Sequence, residues 1–234
     1  MAVERVAVGY IHPGDVAGQF CLSLATMILR DAKCRRISHV IGVESSPRIA
    51  EGRSQVVDAF LGTTAEWLLM IDADMEWEPE AFDLLCAHAN PETVPIIGGL
   101  CFGGGRSWNG AKPSIFPTLY RFAKRDGTLV TEVLEDYPRD QLVPIGATGA
   151  AFLMVHRAVF HKLKVTLAKD ANGDPNPYPW FAEIVYKGQP VGEDITFCMR
   201  AQAAGFPIHV HTGALVRHRK SIMLDQALHD QVRR

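Results

Sequence analysis

The residues with the clearest chemical potential are Asp72 and Asp74, set one residue apart after the run Trp67-Leu68-Leu69-Met70-Ile71. Five apolar residues in succession, without polar alternation, suit a strand covered on both faces within a parallel sheet. Ligands of open α/β sheets bind outside the carboxyl ends of such strands. Two carboxylates at that edge offer hard oxygen ligands to Mg²⁺ or Mn²⁺, and a bound dication can neutralise a pyrophosphate. The alternative is an acidic turn that caps the next helix, since D-x-D triplets also arise by chance.

Two further features belong beside this pair. Glu193-Asp194 follows Gly192 and opens a helix with Phe197, Cys198 and Ala201 at helical spacing, stopped by Gly205. The helix macrodipole favours acidic residues there without any catalytic role, so the pair takes its meaning from its company. Residues 206–210 read as a strand, and Val216-Arg217-His218 then places an imidazole where it can lie near the metal edge.

A sheet must gather these groups. Residues 3–10 read as a first strand ending in the turn His12-Pro13-Gly14-Asp15, and a helix over 17–30 carries Phe20, Leu24, Met27 and Ile28 on one face. Residues 39–43 form a second apolar strand. Pro47 opens a helix with the stripe Val56, Val57, Phe60 and Leu61, and Pro79 opens another through Phe82, Leu85 and Cys86. This β-α-β-α-β-α order predicts an α/β fold with a doubly wound, mainly parallel sheet and right-handed crossovers. Residues 94–100 form a further strand. It leads into Cys101-Phe102-Gly103-Gly104-Gly105-Arg106, which lacks P-loop and dinucleotide spacing and reads as a flexible lid. Residues 117–122 and 128–134 pair as a hairpin around Asp126-Gly127. Residues 145–155 carry Gly146-Ala147-Thr148-Gly149-Ala150 before a helix over 156–163, and 169–179 reads as a loop.

Composition narrows the class. A chain of 234 residues can bury a substantial core as one α/β domain. A net charge of -2 gives no global footprint for nucleic acid, though a local basic patch is compatible with it. Cys21, Cys34, Cys86, Cys101 and Cys198 are scattered and never spaced C-x-x-C, which excludes a zinc ribbon or disulfide framework and suits a reducing cytoplasm. No apolar run approaches the roughly 20 residues needed to span a bilayer, and the N-terminus has no signal-peptide pattern. A soluble, intracellular protein without a membrane segment is expected.

Taken in order, five segments carry a resemblance: R-I-A-E-G-R-S-Q-V-V from Arg48, W-L-L-M-I-D-A-D-M from Trp67 and G-A-T-G-A-A-F-L-M-V from Gly146, then V-G-E-D-I-T-F-C-M-R-A-Q-A-A-G from Val191 and H-T-G-A-L-V-R-H from His211. Over residues 3–218 the chain resembles the nucleotide-sugar glycosyltransferases of the GT-A fold, the family 2-like group, and in particular its small phage and bacterial members. The resemblance implies a single GT-A (Rossmann-like) domain over 1–234, with a mainly parallel mixed sheet flanked by helices. Residues 1–100 would be its nucleotide-binding half, 101–220 its acceptor and catalytic half, and 221–234 a tail.

It also implies roles. Asp72 and Asp74 match the pair that holds Mn²⁺ or Mg²⁺ and, through it, the diphosphate of a nucleotide-sugar donor. His218 matches the histidine that completes the metal site, although Arg217 replaces the usual glycine before it, and His211 is the competing candidate. Tyr10, Glu44 and Arg53 fall where the nucleotide binds, and Gly149 and Ala150 where the donor sugar approaches. Asp194, with Glu193 beside it, matches the base that deprotonates the acceptor hydroxyl in inverting members. The acceptor implied is a glycan, a protein hydroxyl or a modified base in DNA, and the location is the cytoplasm, that of the host if a phage encodes the chain. Oligomeric state is open.

The chemistry is coherent without the family. Expelling a nucleoside diphosphate builds negative charge on the leaving oxygen, which a dication and an arginine stabilise. A carboxylate on the far side of the sugar takes the acceptor proton, and a helix N-terminus keeps it ionised. The competing readings are a sugar-nucleotide pyrophosphorylase-like nucleotidyltransferase and a nucleotide-sugar-binding module without turnover. The first wants a glycine-rich, arginine-bearing loop after strand one, where this chain has Tyr10-Ile11-His12-Pro13-Gly14. Trp108, Trp180 and Phe181 suit either acceptor contact or the core. Arg219-Lys220 and Arg233-Arg234 read as a solvated tail, with phosphate or acceptor binding the alternative.

Overall fold

The computed structural model describes residues 3–45, 48–105, 114–125, 128–166 and 180–220. The first half runs β1 (Val6–His12), α1 (Gly18–Asp31), β2 (Ile37–Glu44), α2 (Ile49–Leu61), β3 (Trp67–Asp72), β4 (Met75–Trp77) and α3 (Pro79–His88). Strands β5 (Ile96–Leu100), β6 (Phe102–Gly105), β7 (Ser114–Pro117), β8 (Leu119–Arg125) and β9 (Thr128–Val133) follow. Next come β10 (Leu142–Ile145), β11 (Ala147–Thr148), β12 (Phe152–His156) and α4 (Arg157–Thr166). The last described elements are β13 (Ile184–Tyr186), β14 (Gln189–Val191), α5 (Glu193–Ala203) and β15 (Ile208–His218).

The apolar run at Trp67 occupies the interior of an eight-stranded sheet of order β10-β15-β5-β12-β3-β1-β2, with β4 attached to β15. Every residue from Trp67 to Ile71 is buried. Leu68 and Met70 join Val56, Phe60, Phe160 and Phe197 in a core on one face. Trp67, Leu69 and Ile71 join Phe20, Met27, Phe82 and Leu85 on the other. Burial on both faces explains the missing polar alternation. The expected α/β fold with a mainly parallel mixed sheet is therefore present: β2, β1, β3, β5 and β15 share one direction. Strand β12 lies antiparallel between β3 and β5, so segments far apart in sequence share the centre of the sheet.

Three local expectations change. The glycine run after Cys101 is not wholly a loop: Phe102–Gly105 forms β6 and pairs antiparallel with β7, its backbone groups bonded although it has few side chains. Residues 106–113, including Trp108, lie outside the described residues, as do Asp126-Gly127, 167–179 and 221–234. Strand β4, too short to show a period, was not foreseen. Finally, β15 is one long strand that first pairs with β5 and β10, shifts register between His211 and Leu215, and then pairs with β4. Among the described residues no helix is long and apolar enough to cross a membrane.

Helix α2 lies close on β1 because Gly9 has no side chain there. A Cβ at Gly9 would strike Val56 Cγ1 and come within 3.0 Å of Leu68 Cδ1. Val56 is one turn beyond Arg53, so this close approach sets how far that arginine reaches into the sheet edge. Gly9→Ala should push α2 outward and cost about 1–3 kcal/mol in urea unfolding. Unchanged stability would mean the contact is not tight.

Candidate active site

Asp72 ends β3 and Ala73-Asp74 turn the chain into β4. Backbone bonds fix this turn from two sides: Ala17 N–H donates to Ala73 O at 3.2 Å, and Arg219 N–H to Asp74 O at 3.0 Å. The pairing of β4 with the end of β15 sets His218 opposite Met75. His218 Nε2 then lies 3.0 Å from Asp74 Oδ2, and Nδ1 lies 3.1 Å from the carbonyl of Phe102. The Asp74 hydrogen bond raises the His218 pKa despite burial. Burial pushes Asp74 up, but the bond from His218 and the charges of His218 and Lys220 outweigh it and hold the carboxyl low.

Arg53 comes from the second turn of α2 and is only 5% exposed. Its Nη2 donates to both oxygens of Asp72, at 2.9 and 3.2 Å. Its Nη1 donates to Glu193 Oε1 at 2.5 Å and to Asp194 Oδ1 at 3.2 Å. Burial alone would lower the guanidinium pKa, but Asp72, Asp194 and Glu193 together raise it. One planar fork thus binds the end of β3 to the first turn of α5.

Glu193 and Asp194 follow the N-cap Gly192, where the macrodipole favours negative charge. Asp194 Oδ2 accepts a hydrogen bond from Ala150 N–H at 3.3 Å, and a Cβ on Gly149 would lie 3.4 Å from the same oxygen. Burial pushes Asp194 up, but Arg53, the bond with Glu193 and the Ala150 N–H outweigh it, so its pKa falls. Glu193 moves the other way: burial, then the neighbouring Asp194, push it up to about 7 against the pull of Arg53. Glu193 is therefore protonated below about pH 7 and about half protonated at that pH, while Asp194 stays ionised.

A cavity of about 500 Å³ opens at this edge of the sheet, with Arg53, Asp72, Asp74, His218, Arg219 and Lys220 on its walls. The expected site residues divide around it. Glu193, Asp194, Gly149 and Ala150 meet behind Arg53. Tyr10 and Glu44 are not on its walls: the Tyr10 ring packs on Phe20 at 5.0 Å, and Glu44 ends the edge strand β2, opposite His12. His211 sits earlier on β15 with its ring 4.5 Å from His88, so the histidine beside Asp74 is His218. Trp180 and Phe181 are fully buried, Trp180 Nε1 donating to Phe160 O at 2.8 Å, and they serve the core. Arg219 and Lys220, read as a solvated tail, instead stand on the cavity wall. Only the unforeseen β4 makes that visible.

Among the described residues, no three His, Cys, Asp or Glu side chains stand close enough to hold a metal ion; Asp72 is engaged by Arg53. The donor chemistry nonetheless suits a hard dication. Two carboxylates and an imidazole share one cavity, and His218 turns its Nδ1 to a backbone carbonyl, as metal-binding histidines do, leaving Nε2 on the Asp74 side.

No protein-family model matches the sequence, and no curated protein matches it. Solved structures do. A197 from STIV is similar with a TM-score of 0.51 at 14% identity, over 94% of this chain and 97% of that one. GalNAc-T7, solved with UDP, GalNAc and Mn²⁺, is similar with a TM-score of 0.57 at 11% identity, over 94% of this chain but 44% of that one. The chain has a GT-A-like fold.

The raised pKa of Glu193 has a thermodynamic sign. Its contribution to stability is complete below its ordinary value of 4.5 and is lost as pH rises through about 7. Glutamine cannot ionise, so the melting temperature of wild type should fall by roughly 2–4 °C relative to Glu193→Gln between about pH 5 and pH 8. A difference that stays flat across that range would place the proton elsewhere.

Proposed function

We propose that the protein is a metal-dependent glycosyltransferase that moves a sugar from a nucleoside diphosphate sugar to an acceptor hydroxyl, with inversion. One observation carries the reading: a single cavity gathers Asp72, Asp74 and His218, and Arg53 ties that edge to an ionised Asp194. The likeness of fold to GalNAc-T7, a structure holding UDP and Mn²⁺, supports a nucleotide-sugar donor.

In this reading Asp72, Asp74 and His218 would hold Mn²⁺ or Mg²⁺. The ion would supply positive charge to the diphosphate as it leaves. Asp194 accepts the acceptor's proton while the hydroxyl oxygen attacks the anomeric carbon. The bond to the diphosphate oxygen breaks, and its electrons leave with the nucleotide. A depressed pKa suits this task, because the base must be ionised before the acceptor arrives. Ala150 N–H and Arg53 orient its carboxylate, and Gly149 leaves space beside it. Below about pH 7 a proton on Glu193 limits the negative charge beside Asp194. A nucleotidyltransferase has less support, since the turn after β1 supplies no arginine to an attacking or leaving phosphate.

Two measurements test this. UDP or GDP should raise the melting temperature more with Mn²⁺ than without it. Asp194→Asn should keep that nucleotide stabilisation yet lower donor hydrolysis or transfer by about 10²–10⁴-fold. If Asp194→Asn turns over normally, the base is misassigned, and Glu193 or a retaining mechanism takes its place.

A further inference from the structure

We propose that Lys220, with Arg219 beside it, exchanges Asp74 for the diphosphate of the donor, so that dication and nucleotide bind as a cooperative pair. This deepens the donor-site reading and rests on it. Asp74 Oδ2 lies 3.0 Å from His218 Nε2 and 3.8 Å from the Lys220 ammonium. A dication that takes this oxygen must stand within a few ångströms of the ammonium, and like charges at that separation repel. Lys220 then needs another anion.

The geometry offers it one. Arg219 is anchored through its backbone N–H to Asp74 O, which holds the segment after β15 against the D-x-D turn. Both basic side chains line the same cavity as Asp72 and Asp74. Lys220 is 54% exposed and has a flexible four-carbon stem, so its head can swing without moving the backbone. A diphosphate has two phosphoryl groups, so one can face the dication while the other meets the basic pair. A monophosphate offers only one.

The same lysine therefore opposes the ion alone and assists the nucleotide, and its removal has effects of opposite sign. Titration calorimetry of Lys220→Ala should show Mn²⁺ alone binding about two- to fivefold tighter than to wild type. UDP at saturating Mn²⁺ should bind roughly five- to tenfold weaker. Arg219→Ala should weaken UDP and leave Mn²⁺ alone unmoved, and UMP should be less sensitive than UDP to both changes. If Lys220→Ala weakens Mn²⁺ alone, or leaves UDP affinity unchanged in a wild type that binds both, the exchange is wrong and the donor site stands. Wild type that takes up neither Mn²⁺ nor UDP, or Mn²⁺-dependent UDP binding that survives Asp74→Ala, overturns the donor-site reading and the exchange with it.

Discussion

A buried guanidinium is tolerated only where its charge is matched, and Arg53 is held by three carboxyl groups, those of Asp72, Glu193 and Asp194. The contacts join residues 19, 140 and 141 positions apart, so one side chain on α2 gathers two other pieces of chain, the end of β3 and the start of α5. The reverse dependence is equally strong: without Arg53, the carboxyl groups of Asp72, Glu193 and Asp194 would lose their shared donor. The rigid fork gives Asp72 and the pair on α5 a fixed separation. In the proposed transfer, that separation would hold the leaving-group edge and the base in register. The close approach of α2 to β1 across Gly9 serves the same end, because it sets the depth of the guanidinium.

The second constraint is β15. After a register shift beyond His211, Leu215 still faces Leu100 of β5, and the end of the strand then pairs with β4, which carries the chain directly out of Asp74. A regular strand would have continued beside β5. The irregularity brings an imidazole, an arginine and a lysine to the D-x-D turn. It also explains why His218 rather than His211 lies there, since His211 precedes the shift and packs under α3.

Much of this could be read from the residues. The unbroken apolar run fixes a two-faced strand, and the carboxylates at its end belong at a ligand edge. The Gly192-Glu193-Asp194 opening of a helix is where α5 begins. What could not be read is long-range. Arg53, taken as a nucleotide contact, gives no local sign of partners 140 residues away. Strand β4 has three residues and no period, so the placement of Arg219 and Lys220 was hidden with it. Glycines in β6 hide a strand because a ladder needs backbone groups and not side chains. Tyr10 misleads through alternation: its neighbour Ile11 faces the Arg53 side, which turns Tyr10 toward Phe20.

The most direct test concerns the guanidinium itself. Urea unfolding of Arg53→Met should show a loss of about 3–5 kcal/mol, because three carboxyl groups, two of them ionised, lose their common partner. Adding Asp72→Asn and Asp194→Asn to the same chain should recover at least about half of that loss, since the two ionised partners are then neutral. An Arg53→Met variant as stable as wild type, or a triple variant no better than the single one, would show that the edge is not held together by this charge.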